Sequence, residues 1–528
     1  MRSFVRMVCT FCPSLAVAQT ITPPCLAFLL LFAGFIIPRT DIHPWWIWMY
    51  WANPTTYAFQ GMASNEFWDQ PYHCTLEELM PPSSVCPMTW GTDYGIDKWG
   101  VFDGENIKWA MVPALIGWYI IFNTITYLGM RFYHHAPPGK PHMKEVTGAG
   151  ITKKSTKDSD DDDSEEEEEG KLAKTDENYF VQAYRQSAFY ASADQELTRG
   201  IYAAAVMDKS GTDDGAREKR WHHKIKRRLS DRYASLPTTQ LWEMFVRGTK
   251  SYWRQPEEFV MKLSLPIVMG VVLGTYFLDL GRDQASNTQR VGMLYYALLF
   301  SNMGALQLKA NLILSRPPMY RERASRTYSS LIYLLSLIAI ELPYILINTV
   351  TFVVPVYFIS GLQYEAGKFW IFFALYLLAN LISLVVVYTL CFSAPNIAVA
   401  NVMAGLVFTV LSMFAGFLIA RNKIPDYWIW LHYLDVNMYP IEALLINEIK
   451  GMDFHCSDSE LVQVPIELAA GGTATAYYCP ITTGEQFLDS LGMSADNMLR
   501  DSLVMVGWVL ALFISSAFLL KCVVHQKR

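Results

Sequence analysis

An all-α polytopic membrane protein is predicted from three features of this 528-residue sequence. Hydrophobic residues make up 52% of it and charged residues only 17%. The apolar residues gather in runs of about 20 or longer, enough for a helix to cross a bilayer. Trp and Tyr collect at the ends of those runs, at the depth of the lipid headgroups. Together these exclude an ordinary soluble or small secreted protein.

The spacing predicts a first span over Thr20 to Pro38 and a second over Ala110 to Met130. An aromatic segment, Pro44 to Phe67, lies between them, followed by a polar loop with Cys74 and Cys86. The apolar runs then stop. Residues 136–237 read as a cytosolic linker with ten acidic residues between Asp158 and Glu169, a composition that buries too little apolar area to fold. A basic cluster from Arg217 to Arg232 ends the linker, suited either to retention beside an anionic leaflet or to docking of a cytosolic partner. The net charge of −6 comes largely from the acidic run, which argues against a nucleic-acid partner.

Six further spans are predicted over Val260 to Asp279, Val291 to Leu314, Leu331 to Ser360, Phe369 to Leu390, Ala398 to Ala420 and Ser502 to Leu520. From Phe369 to Ala420 there is no charged residue, and the two helices there divide at a tight turn near Ser393, Pro395 and Asn396. Ahead of these spans, Thr239 to Tyr252 has the periodicity of an amphipathic helix on the cytosolic face. Arg316, Arg321, Arg323 and Arg326, and the tail with Lys521 and Arg528, belong on the cytosolic side. Arg421 to Arg500 then faces the other side, where Cys74 with Cys86 and Cys456 with Cys479 are the expected disulfides.

A shift of 382 positions carries Phe32-Ala33-Gly34-Phe35 onto Phe414-Ala415-Gly416-Phe417, Trp46-Ile47-Trp48 onto Trp428-Ile429-Trp430, and Asn65-Glu66 onto Asn447-Glu448. This internal repeat divides the chain into 1–135, the last part of a first transmembrane domain, the linker, and 238–528, a complete second domain. Two similar bundles facing each other form a transporter arrangement with the substrate path between them.

No G-x-x-x-x-G-K-[ST] phosphate loop occurs, so no ATP hydrolysis, catalytic residue, cofactor or metal site is expected within the chain. Glu341 is the only charge between Arg326 and Glu365. A lone carboxylate in a span is open to three readings: pairing with an arginine of the preceding loop, a coupling role, or proton relay. Thr275, Asn302, Asn380 and Thr409 are each either pore-side polar groups or helix-to-helix hydrogen bonds, with Phe414 also on the substrate path. So few charges suit a hydrophobic or amphipathic solute better than an ion.

The sequence resembles the pleiotropic drug resistance type of ATP-binding cassette transporter, the full-size members of the G subfamily. The resemblance rests on Met319-Tyr320-Arg321-Glu322-Arg323-Ala324-Ser325-Arg326, on Glu341-Leu342-Pro343-Tyr344, and on Phe414-Ala415-Gly416-Phe417 with Ile424-Pro425 and Trp428. It covers 1–135 and 236–528. It implies an ABC-2 type six-helix domain preceded by the last two helices of a homologous one. It also implies that Trp242, Arg321, Glu322, Arg323 and Glu341 couple nucleotide-driven closure to the membrane helices. ATP and Mg2+ would act in nucleotide-binding domains supplied in cis or trans, the cargo would be drugs, xenobiotics or lipids, and the site the plasma membrane. Both such domains are missing from the sequence, so a truncated longer chain is expected. The alternative is a non-transporting scaffold or regulator that associates with intact relatives.

Overall fold

The computed structural model describes residues 1–12, 15–71, 106–133, 235–254, 256–456, 462–467, 473–479 and 481–525, with single positions within 90–104 and 190–195 and at 233. Cys74, Cys86, the acidic run and the basic cluster lie outside the described residues. One compact unit comprises Met1–His135 with Ser235–Arg528, and a second comprises Ala136–Ala234.

In the first unit the chain opens with α1 (Arg2–Phe11), α2 (Leu15–Leu31), α3 (Ile47–Trp51), α4 (Pro54–Phe67) and α5 (Ile107–Phe132). It resumes with α6 (Pro237–Trp253), α7 (Pro256–Tyr276), α8 (Gln284–Leu306), α9 (Lys309–Leu314) and α10 (Arg316–Ala324). Then come α11 (Ser330–Ile359), α12 (Ala366–Ser393), α13 (Ile397–Phe414), α14 (Ile429–Leu434) and α15 (Met438–Ile449). Strands β1 (Val462–Glu467) and β2 (Thr473–Tyr478) pair antiparallel, and α16 (Gly484–Ser490) and α17 (Met498–Cys522) close the chain.

Six described stretches are long and apolar enough to cross a membrane: α5, α8 with α9, α11, α12, α13 and α17. The two other expected spans are α2 and α7, whose described apolar stretches are Ile21–Leu31 and Lys262–Tyr276. The membrane part is therefore all-α, a six-helix domain preceded by the end of another. The small β1–β2 sheet between α15 and α16 is an addition to the expected class.

Local chemistry sets the helix ends. The Asn396 side chain caps α13 by accepting from Val399 N–H at 2.9 Å, fixing the tight turn after α12. Helix α13 stops at Phe414, short of the expected Ala420, because Gly416 takes φ +93°. Helix α11 runs unbroken through Pro343 and Pro355.

Helices α7 and α11 approach closely, and two glycines one turn apart allow it. A Cβ on Gly270 would lie 2.9 Å from the Phe352 carbonyl oxygen, and one on Gly274 3.0 Å from that of Pro355. Small residues four apart let transmembrane backbones approach in this way. Gly270→Leu should therefore force α7 away from α11 and lower stability by about 1–3 kcal/mol, the usual penalty of overpacking. Thermal unfolding in detergent measures it, and an unchanged midpoint would remove the account given of this contact.

The repeat is visible in three dimensions. Gly34 and Gly416 both have positive φ, +84° and +93°. Each faces the ring 16 residues on, Tyr50 in one copy and His432 in the other. Tyr57 donates to the Trp51 carbonyl at 2.8 Å and Tyr439 to the Tyr433 carbonyl at 2.8 Å. Asn53 accepts from Thr55 N–H and Asp435 from Asn437 N–H. Helix α1 packs on α5 as the end of α12 packs on α17, so α1 occupies the place of the end of a fourth helix. The copies differ at the acidic pair: Glu448 is fully buried, whereas Glu66 is exposed.

Helix α17 fixes the polarity. At its start Arg500 bonds Glu442 of α15 at 3.3 Å. Near its end the Leu520 carbonyl accepts from Arg323 at 2.7 Å. At 1.5 Å per residue these points are about 30 Å apart, one hydrocarbon thickness. The arginine-rich loop and helix α15 therefore lie at opposite ends of the bundle.

Candidate functional site around the arginine loop

Helix α10 is the hub of one end of the bundle. Arg316 is buried at its start and donates to the Ala394 carbonyl at 2.7 Å, a cation placed at the C-terminus of α12. Arg323 donates to Leu520 at the end of α17, with its guanidinium 5.6 Å from the Tyr320 ring. Glu322 accepts from Arg247 Nη1 of α6 at 2.6 Å and from Tyr328 O–H at 2.7 Å. A second tie joins α6 to the same loop, where Gln240 Oε1 accepts from Ser329 N–H at 3.3 Å. Arg321 and Trp242 are exposed.

Burial alone would raise the Glu322 pKa, but the hydrogen bonds from Arg247 and Tyr328 outweigh it and hold the carboxyl below its ordinary range. Its folded pKa is thus depressed, so the tie contributes in full above the unfolded carboxyl range and is lost as pH falls through the lowered value. Hydrogen exchange across Pro237–Trp253 should stay constant from neutral pH down to about pH 5 and quicken only below it, after correction for intrinsic rates. Loosening already at pH 7 would contradict the tie. Arg247 is more than half exposed, so the effect is small.

At its other end α6 meets a buried charge. Tyr252 O–H donates to Glu341 Oε1, and Lys262 Nζ lies 3.2 Å from both Glu341 oxygens. The Lys262 ammonium also sits 4.4 Å from the Tyr252 ring and 5.7 Å from the Tyr344 ring, which stack on each other. Lys262 and Glu341 are 9% and 5% exposed, a depth at which an unpaired charge is costly. The partner of Glu341 is thus Lys262 of α7, not an arginine of the preceding loop. Sequence reading missed Lys262, although a lone lysine early in a span is the natural complement of a lone glutamate in another.

Two cavities meet at Glu341. One, of about 90 Å³, lies among α7, α8, α11 and α12, and Ser301, Asn348 and Asn380 give it polar walls. The other, of about 340 Å³, opens between α6, α9 and α11 beside Tyr252 and Arg247. Of the expected path residues, only Asn380 lines either cavity. It donates to Thr349 at 3.2 Å and accepts from Ser301 at 2.8 Å. Asn302 joins elements instead, accepting from Ser383 at 2.7 Å and donating to Asn437 at 3.2 Å. Thr275 and Thr409 donate to carbonyls of their own helices. Phe414 packs on Trp428 at the outer end of α13.

At the opposite end of the bundle, Arg290 of α8 and Glu448 of α15 form an ion pair at 3.6 Å, and both are almost fully buried. Arg290 also donates to the carbonyls of Gly281 at 2.7 Å and Leu280 at 3.0 Å. Cys456 and Cys479 form a disulfide, and Gln284 at the start of α8 donates to the neighbouring Ile481 carbonyl.

The sequence model of the ABC-2 type transporter family matches residues 1–67 and 239–449, which include Lys262, Glu341, Glu322 and Arg290. The chain belongs to the ABC-2 type transporter family. It is homologous to several G-family ABC transporters. It is 31% identical to ABC transporter G family member 2 of Dictyostelium discoideum over 304 residues, 56% of this chain and 23% of that protein. Brefeldin A resistance protein of Schizosaccharomyces pombe is 25% identical over 375 residues, 66% of this chain and 24% of that protein. ABC transporter G family member 36 of Arabidopsis thaliana is 24% identical over 355 residues, 66% and 22% of the two chains. This ABC-2 type chain thus spans less than a quarter of each of these curated relatives. The matched segments carry no phosphate loop, and the only sheet among the described residues is β1–β2, so no nucleotide-binding fold lies among them.

Proposed function

We propose that the chain is the membrane-spanning part of an ATP-driven exporter of hydrophobic or amphipathic compounds, of the pleiotropic drug resistance type and resident in the plasma membrane. Nucleotide-binding domains carrying ATP and Mg2+ are supplied in cis by a longer chain or in trans by a partner. One observation carries the reading: α6 is bonded to the arginine loop through Arg247 and Glu322 and to the buried Glu341 through Tyr252. A displacement imposed on α6 or α10 from the cytosol is therefore delivered to the interior of the bundle. Arg321, Glu322 and Arg323 are the receiving residues, and Trp242 presents an exposed ring on the same amphipathic helix. One relative is named for resistance to brefeldin A, and the proposal extends export of organic compounds to this chain.

The test is ATP-dependent efflux of a lipophilic dye from vesicles holding the chain together with nucleotide-binding domains. Glu322→Ala should lower efflux while leaving ATP hydrolysis by those domains in place. Efflux by the isolated chain without ATP would refute the proposal. No efflux under any pairing, with capture of intact relatives on pull-down, would favour the scaffold reading.

A further inference from the structure

The two copies of the repeat place side chains of the same shape but different chemistry just before α4 and α15. In the first copy the residue is Asn53. Its Oδ1 accepts from Thr55 N–H at 3.0 Å, and its Nδ2 donates to the Leu29 carbonyl at 2.6 Å. Leu29 lies in the last turn of α2, where a carbonyl has no N–H of a following turn to accept. The amide thus ties the start of α4 to the end of α2. In the second copy the same place holds Asp435, and Leu411, in the last turn of α13, matches Leu29. Asp435 Oδ1 accepts from Asn437 N–H at 2.8 Å, which repeats the first bond. Its Oδ2 is the counterpart of the Asn53 donor, and it is buried without a hydrogen-bond partner in the protein.

Asp435 is 0% exposed, and it lies deep. Asn437, two residues on, is bonded to Asn302, which stands about 18 Å along α8 from Arg290. The surrounding helices supply no countercharge at this depth. Helix α8 has no Asp, Glu, Lys or Arg between Arg290 and Lys309, α12 and α13 have none from Phe369 to Ala420, and α17 has none between Asp501 and Lys521. On α15, Glu442 is bonded to Asn497 and Arg500. Nearer in sequence, Arg421 donates to the Tyr433 hydroxyl, and His432 Nδ1 donates to the Phe414 carbonyl at 2.7 Å. The titratable group that faces Asp435 from α8 is Tyr295, a neutral phenol whose hydroxyl donates to the Ser412 carbonyl. An ionised carboxylate here would have no cation among the described residues, and a group so placed takes up a proton instead. Burial accordingly drives the carboxyl well above its ordinary range, opposed by the Asn437 N–H. A protonated carboxyl has one O–H to donate.

We propose that Asp435 is a proton-binding site, held as the neutral acid, whose Oδ2–H donates to the Leu411 carbonyl as the Asn53 amide does to Leu29. In that form it ties the start of α15 to the end of α13. When the O–H bond breaks and the proton leaves to water, Oδ2 and the Leu411 carbonyl become two acceptors facing each other, and the tie is lost. Helix α15 also carries Glu448, the partner of Arg290, so release at one end of α15 leaves it held by the ion pair at the other. An asparagine makes this junction permanent, as in the first copy. An aspartate makes it answer to protons. The site needs neither nucleotide nor cargo, so it stands or falls apart from the exporter reading.

The test compares the full chain with Asp435→Asn by denaturant unfolding in detergent across pH. The folded state keeps the proton, whereas the unfolded chain gives it up at about pH 3.9. Wild-type stability therefore falls as pH rises from there to the raised folded value, while the asparagine variant has no such proton to lose. The folding constant of Asp435→Asn relative to wild type should grow about tenfold per pH unit between about pH 5 and about pH 7. Asp435→Ala, which lacks the donor, should be less stable than Asp435→Asn at every pH. Infrared spectra at neutral pH should show a protonated-carboxyl band in the wild type that Asp435→Asn loses, a difference that separates it from Glu341 and Glu448. A ratio independent of pH, or no lost band, would overturn the proposal. So would failure of Asp435→Asn to fold, because Asn53 fills the same place in the first copy.

Discussion

Lys262→Met should destabilise the second domain by about 3–5 kcal/mol, the penalty for removing one member of a buried ion pair. The Glu341 carboxylate would lose its counter-ion, and the stacked Tyr252 and Tyr344 rings would lose the cation they enclose. Thermal unfolding in detergent measures the loss. The double variant Lys262→Met with Glu341→Gln should recover most of it, because the amide still accepts from Tyr252 and no uncompensated charge is left. If the double variant is as unstable as the single one, the cost belongs to packing and the electrostatic account fails. Coupling should respond differently: with the charges gone, the Tyr252 bond of α6 to α11 is no longer charge-assisted and the cation contact from α7 to the Tyr252 ring is lost, so transport should stay impaired in the double variant even where stability returns.

Arg290→Ala should cost a similar amount, about 3–5 kcal/mol, for a further reason. The guanidinium neutralises Glu448 and also satisfies two carbonyls where the chain turns from α7 into α8. Truncation removes the counter-ion of Glu448, which keeps the Gln363 N–H as a donor, and takes the guanidinium from both carbonyls. Arg290→Lys should recover only part, since an ammonium lacks the planar fork that reaches the carboxylate and both carbonyls at once. Full recovery by lysine would mean that charge alone matters here. Both variants should loosen α15 against α8, read as faster hydrogen exchange over Met438–Ile449.

Much of the fold is written in the apolar runs, because a bilayer leaves the backbone no option but helices of known length. The equivalence of the two aromatic segments was legible through the repeat, since Trp46 and Trp428 mark the same place twice. The contents of the buried sites were not. Lys262 meets Glu341 only because Gly270 and Gly274 draw α7 onto α11, a contact with no signal at either charged residue. The β1–β2 hairpin was missed because Val462–Glu467 includes a proline and Thr473–Tyr478 follows a glycine-rich stretch, a pattern that reads as loop. Helix α1 was passed over because Arg2 and Arg6 interrupt the apolar pattern that its counterpart at the end of α12 retains. Among the expected path residues only Asn380 lines a cavity, because a sequence carries polar types but not the direction each side chain takes.

The hydrogen-bonded run Thr349–Asn380–Ser301 and its neighbour Ser383–Asn302–Asn437 limits how this bundle can move. They tie α11, α12, α8 and the start of α15 through short polar side chains with little reach. Sliding any of these helices past another by one turn, about 5.4 Å, would break several bonds together inside a medium that offers no replacement. Shear is thereby penalised while rotation of the whole bundle costs none of these bonds, so any alternation between inward and outward openings should proceed by rigid-body rocking about its edges.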